Sequence, residues 1–216
     1  MLPADSVRLL PVSKTVPAVA VLEAYALGLR DFGENRVQEM AAKAAQCPAD
    51  IRWHLIGHLQ RNKARLAAEI AASVQSVDSV RIAEALDAVA TQQSRVLPVL
   101  IEINATGEPA KGGVPLDRAY ETIAAIAQHY EHLRIDGLMT IGPTPAPGAS
   151  GPDERATRAA FAAVRTLREQ MSAAHVPRVD MRDLSMGMSG DLEWAIDEGS
   201  TMVRVGTALF GQRSVR

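Results

Sequence analysis

Short apolar runs alternate with Ala-rich amphipathic stretches along this chain, and that alternation leaves few folds open. Consecutive parallel strands need long crossovers, and a helix is the usual crossover. Eight runs read as strands: Val7 to Ser13, Arg30 to Gly33, Arg52 to Gly57, Ser73 to Val77, Val99 to Asn104, Ile135 to Ile141, Asp183 to Gly187 and Met202 to Gly206. Helices are expected near Pro17 to Leu27, Arg36 to Ala45, Arg61 to Ala71, Ser79 to Thr91, Leu116 to Tyr130, Pro152 to Ala174 and Gly190 to Glu198. Eight strands, each joined to the next by a helix, close most simply into an α/β TIM-type (β/α)₈ barrel. A length of 216 residues suits one domain, read as 1–216. Pro98 fits the fifth strand only at its start, where no ladder N–H is required. The Pro/Gly segment Gly142 to Gly151 reads as a mobile loop at the barrel mouth.

Net charge is -2 with both signs interspersed, which gives no electrostatic reason to expect nucleic acid or an anionic membrane as partner. Cys47 is the single cysteine, so no disulfide framework or cysteine-based metal site is expected, and a reducing cytoplasm fits. No apolar run approaches bilayer length.

In such a barrel the chemistry sits at the C-terminal ends of the strands. Lys14 stands where the first run stops, well placed to hold an aldehyde as an imine once the site lowers its pKa or positions a carbonyl against it. Asn35 follows the second run and could orient a ring hydroxyl or the imine. The third brings Trp53-His54-Leu55-Ile56-Gly57-His58, from which His54 is taken as a further cofactor contact. Met139 ends the sixth. After the seventh, Met188-Ser189-Gly190-Asp191 turns into a helix whose first N–H groups and dipole favour an anion, and after the eighth comes the small-residue turn Arg204-Val205-Gly206-Thr207. Loops after the last two strands are the recurrent phosphate site of this fold, so Ser189, Gly206 and Thr207 form a candidate cradle opposite Lys14.

Each residue also has a plainer reading. Ser189 fits an N-cap, Lys14 a solvated strand-end lysine, and Met139, Met186 and Met188 core filler. His54 and His58 are four apart, but on a strand and turn that spacing does not build a metal pair. No metal is expected. What joins the polar residues into one site is position, since lysine, amide, arginine and phosphate loops all fall at one end of the barrel.

The runs Leu10-Pro11-Val12-Ser13-Lys14-Thr15, Phe32-Gly33-Glu34-Asn35-Arg36-Val37-Gln38-Glu39, Trp53-His54-Leu55-Ile56-Gly57-His58-Leu59-Gln60, Leu184-Ser185-Met186-Gly187-Met188-Ser189 and Val203-Arg204-Val205-Gly206-Thr207-Ala208-Leu209-Phe210-Gly211 resemble the YggS/PROSC family of pyridoxal phosphate homeostasis proteins. The likeness spans nearly the whole chain. It implies the alanine-racemase-like barrel known as PLP fold type III, with pyridoxal 5'-phosphate (PLP) as cofactor and Lys14 as the imine-forming lysine. It further implies ring-side contacts from Asn35 and Met139, phosphate contacts from Ser189, Gly206 and Thr207, and Arg204 facing the pyridine nitrogen. Three departures stand out. The usual helix before the first strand looks missing or shortened, Val16 stands where many members have a second lysine, and the loop after Ile141 is longer and richer in proline.

Two functions follow as expectations. The first is a monomeric PLP carrier or regulator without catalytic turnover, which meets PLP and also amino acids. The alternative is a single-domain PLP enzyme such as an amino-acid racemase. A guanidinium at Arg204 cannot hand a proton to the ring nitrogen, which weakens the ring as an electron sink and favours the first. A third possibility is a barrel that binds another phosphorylated metabolite without an imine.

Overall fold

A computed structural model describes residues 7–211. Residues 1–6, where any segment preceding the first strand would lie, and 212–216 are outside the described residues. The strands are β1 (Arg8–Pro11), β2 (Asp31–Glu34), β3 (Arg52–Leu55), β4 (Ser73–Val77), β5 (Leu97–Asn104), β6 (Val114–Pro115), β7 (Leu133–Thr140), β8 (Val179–Ser185) and β9 (Met202–Val205). The helices are α1 (Ala18–Ala26), α2 (Val37–Ala44), α3 (Ala64–Ile70), α4 (Val80–Gln92), α5 (Ala119–His129), α6 (Glu154–Ala173), α7 (Leu192–Asp197) and α8 (Thr207–Phe210).

Every strand pairing is parallel, in the order β1-β9-β8-β7-β5-β4-β3-β2, with the two-residue β6 appended to β5. The two ends of that order meet. Val12 bridges Gly33, and the Ser13 N–H donates to the Gly33 carbonyl at 3.0 Å. The ring is thus the expected eight-stranded barrel, each main strand lying beside its neighbour in sequence.

The helices bury apolar stripes at helical spacing against the strands. In α6, Ala160, Phe161, Val164, Leu167 and Met171 face inward, and the Asp153 carboxylate caps the first turn by accepting from the Ala156 N–H at 2.7 Å. Ser79 caps α4 in the same way. The core lies between the sheet and these helices, built from residues such as Phe32, Leu55, Leu86, Ile123 and Leu138, each fully buried.

Inside the barrel the packing is partly polar. The Ser185 hydroxyl donates to Gln75 Oε1 at 2.8 Å, and the Gln75 amide points at the Met202 sulfur, 3.3 Å away. Gly137 permits a bulge in β7, where the register with β5 and β8 shifts. A Cβ there would lie 1.8 Å from the Asp183 carbonyl oxygen, so no other residue fits.

Several boundaries differ from expectation. β5 begins at Leu97, so Pro98 is its second residue, still at the strand start. β8 begins at Val179, four residues ahead of the expected start. The helix expected from Gly190 begins only at Leu192, so Ser189 is not its N-cap. The helix expected from Arg61 opens with a 3₁₀ turn, Arg61–Lys63. The loop after β7 is irregular, as expected, but its start is tied down. Lys111 Nζ donates to the Gly142 carbonyl at 2.6 Å, and the Thr144 N–H donates to Glu108 Oε1 at 3.0 Å.

Candidate functional site

The strands end at one mouth, and six expected site residues meet there. Lys14, Asn35, Ser189, Arg204, Gly206 and Thr207 line a single cavity of about 260 Å³. Lys14 is placed by the chain on either side of it. The Ser13 N–H reaches β2, the Val16 N–H closes a turn onto the Ser13 carbonyl at 2.9 Å, and the Thr15 N–H donates to Glu39 Oε1 at 2.6 Å. Thr15 takes a φ of +63°, a left-handed conformation that this network must hold.

A buried ion cluster underpins that turn. Lys43 Nζ donates to the Ser13 carbonyl at 2.5 Å, to Glu34 Oε1 at 2.6 Å and to Glu39 Oε1 at 2.8 Å, so all three of its hydrogens are used. The Ser13 hydroxyl donates to the same Glu34 oxygen at 2.6 Å. The second Glu34 oxygen is buried without a partner among the described residues. Burial pushes the Glu34 pKa up, against the lowering effect of Lys43 and Ser13. Lys43 falls in line with Val37 and Met40 on the inner stripe of α2. A charged residue on an otherwise apolar stripe is the signal that sequence reading overlooked.

Arg204, 4% exposed, comes from β9. Its Nη1 donates to the Ser185 carbonyl at 2.6 Å and the Ser185 hydroxyl at 2.9 Å, and its Nη2 to the Thr140 carbonyl at 2.8 Å. Burial lowers its pKa to about 10, opposed by the charges of Asp191 and Glu102. The guanidinium therefore stays cationic at neutral pH.

Gly206 packs close to β1, where a Cβ would stand 3.1 Å from the Val12 carbonyl. It leads into α8, a short helix not foreseen in the sequence, whose first amides have no intrahelical acceptor. Gly57 allows the end of β3 to press against Asn35, since a Cβ there would lie 2.3 Å from the Asn35 carbonyl oxygen.

Two expected residues are not brought to this cavity. His54 lies at the opposite end of the barrel, its ring nitrogens 2.7 Å from the Ser73 hydroxyl and 2.8 Å from Asp31 Oδ1, beside Arg52 and Asp183. It is the third residue of β3, one before the end at Leu55, and its side chain reaches the lower rim. Met139 is fully buried, in register with Glu102 and Ser185, and does not line the cavity. No group of three or more possible metal ligands occurs among the described residues.

A single parallel barrel with a lysine after its first strand and a cationic arginine on its last defines a class of protein built on the racemase-type barrel. Residues 1–214 match the family model described as alanine racemase, N-terminal domain. The chain is 44% identical over 212 residues to the pyridoxal phosphate homeostasis protein of Pseudomonas aeruginosa, covering 96% of this chain and 85% of that protein. It is 37% identical to the human protein of the same name, covering 98% of this chain and 78% of that one. The structure of PipY from Synechococcus elongatus PCC7942 with PLP bound superimposes with a TM-score of 0.84 at 39% identity, covering 98% of this chain and 95% of that one. The chain belongs to the family of pyridoxal phosphate homeostasis proteins.

Proposed function

We propose that the mouth cavity holds PLP and that the protein keeps and releases this cofactor in PLP homeostasis. The observation that carries the reading is the meeting of Lys14, Arg204 and the Ser189, Gly206 and Thr207 turns around one cavity. Those residues suit the group: an amine to fix an aldehyde, hydroxyls and turn amides for a phosphate, and a cation for an electron-rich ring atom. PLP when bound supplies the aldehyde and an electron-drawing ring. Lys14 Nζ is the covalent anchor, Asn35 flanks the ring, and Arg204 donates toward the pyridine nitrogen without giving up its proton.

Retention rather than turnover is the reading favoured by the surrounding residues. An arginine that stays protonated cannot make the ring a pyridinium. None of Tyr25, Tyr120 and Tyr130 lines either hollow at the mouth, and the Tyr25 hydroxyl is engaged 2.9 Å from Asp50. No helix among the described residues is long and apolar enough to cross a membrane. The reading takes the protein to act as a cytoplasmic monomer.

Absorption spectra and peptide mass analysis after borohydride reduction test the assignment. The pyridoxyl adduct is expected on Lys14. An adduct mainly on Lys63 or Lys111 would overturn it.

A further inference from the structure

Beside the Lys14 cavity, and sharing Asn35, Ile56 and Ile141 with it, lies a second hollow of about 540 Å³ at the mouth. Glu102, on β5, opens into it and is 8% exposed. Its carboxylate makes no hydrogen bond with any described residue. The ionisable groups that act on it are Asp78, Arg204 and His58. Asp78 is matched by His58 at 3.2 Å, and Arg204 is bound to Ser185 and Thr140. Lys111, which also lines the hollow, is held by Glu108 at 2.8 Å and the Gly142 carbonyl at 2.6 Å.

The Glu102 oxygens are not among the buried side-chain atoms left without a partner, so they face the hollow, and their donor comes from what fills it, water or a ligand. Burial, aided by Asp78, raises the Glu102 pKa to about 7, so near neutrality the group exists both as an acid and as a base. The missing donor is not a metal ion, because no cluster of metal-ligating side chains occurs among the described residues. The space beside Glu102 is open. A Cβ at Gly112 would stand 3.8 Å from both carboxylate oxygens.

We propose that this hollow is an acceptor-amine subsite, in which Glu102 receives the primary ammonium group of a ligand beside the cofactor held at Lys14. The inference rests on the cofactor reading above. The ammonium gives one proton to Glu102 and becomes a neutral amine. Its nitrogen then forms a bond to the carbon that Lys14 holds, the bond from that carbon to Lys14 Nζ breaks, and the proton passes from Glu102 to the departing Lys14 nitrogen. Nothing is oxidised or reduced. The cofactor leaves on the incoming amine, which gives a route for release that a plain hydrolysis does not.

A free amino acid and a protein lysine both carry this ammonium, so the probes are L-alanine and Nα-acetyl-L-lysine amide. Each is titrated calorimetrically into protein stripped of PLP. Separately, each is added to loaded protein, and the cofactor still trapped on Lys14 by borohydride is followed with time. Losing a charge-assisted contact corresponds to about a ten- to hundredfold weakening. E102Q should weaken amine binding to the stripped protein by that factor and slow amine-driven loss from Lys14 to match. G112V, which crowds Glu102, should do the same by a different route. Response to L-alanine alone assigns the source to free amino acids, and response to the lysine amide alone assigns it to a protein lysine. Failure of both probes to bind, or equal binding by wild type and E102Q, overturns the subsite. Absence of any trapped cofactor on wild-type Lys14 instead overturns the cofactor reading, while the calorimetric arm still decides the subsite.

Discussion

Lys43 joins three separate pieces of chain, the Ser13 carbonyl after β1, Glu34 at the end of β2 and Glu39 on α2, through one ammonium. Removing it leaves a buried carboxylate whose second oxygen already lacks a partner. Breaking a buried pair in this way typically costs about 3 kcal/mol. Lys43→Met should therefore lower the urea midpoint by that equivalent, and should also blunt cofactor capture because Lys14 is the next residue after Ser13. An unchanged midpoint would show that the cluster is not a structural support. Thr207 tests the other side of the cavity. Thr207→Val should weaken PLP by about ten- to a hundredfold, the loss of a charge-assisted hydrogen bond, and weaken pyridoxal far less. Equal weakening of both would move the phosphate elsewhere. At this scale the strand-end rule brought together Lys14, Asn35, Ser189, Arg204, Gly206 and Thr207, which line one cavity because each lies just past or at the top of an apolar run. It missed Lys43, whose place in line with Val37 and Met40 is the sign it overlooked, and it could not find Glu102, which sits inside the run Leu100-Ile101-Glu102-Ile103 with no outward sign of its direction. His54 erred for the same reason: side-chain height within a short strand is set by barrel stagger, and that is invisible in sequence.

Charge pairs tie part of the lower rim of the barrel together. Asp31 on β2 binds Arg52 and His54 on β3, Asp136 on β7 binds Arg134 and Arg182, and Arg8 on β1 reaches Asp183 on β8. Their partners hold the pKa values of Asp31 and Asp136 below the ordinary carboxylate range, although burial alone would raise them. A depressed folded-state pKa means stability that is present above the unfolded value and lost as pH falls through the folded one. The stability that these two aspartates supply should thus stay level above about pH 4 and decline below it, separate from the loss between about pH 4.5 and 7 that the raised pKa of Glu102 imposes. Asp136→Asn should cost about 1 to 2 kcal/mol, less than a fully buried pair because both arginines are half exposed, and should flatten that acid decline. A steeper decline in the variant would contradict the assignment. Strand order and helix identity were legible because continuous apolar runs and the period-3.6 pattern survive at the level of whole elements. The ends were not. The early start of β8 at Val179 depends on pairing with the bulged β7, and α8 depends on the turn at Gly206, both of which are set by tertiary contact.

The whole molecule puts a strand-end lysine, a buried cationic arginine and two adjoining hollows at a single barrel mouth. On the proposed reading, this arrangement serves exchange of the cofactor and not chemistry on a substrate carbon. Racemisation needs acid and base groups positioned on either side of the α-carbon, and no tyrosine reaches either hollow. The structural likeness to alanine racemase of Clostridium difficile, with a TM-score of 0.79 at 16% identity, covers 98% of this chain but 53% of that one, and it speaks to the fold alone. Loaded protein incubated with L- and D-amino acids in deuterated water should therefore show no sustained exchange of the α-proton by NMR, even where amino acids draw cofactor away from Lys14. The sign of failure is quantitative. Exchange approaching the usual enzymatic range of about 1 to 1,000 per second, abolished by Lys14→Ala, would establish a racemase-like enzyme, because transfer of the cofactor to an amine exchanges protons on nitrogen and leaves the α-carbon untouched.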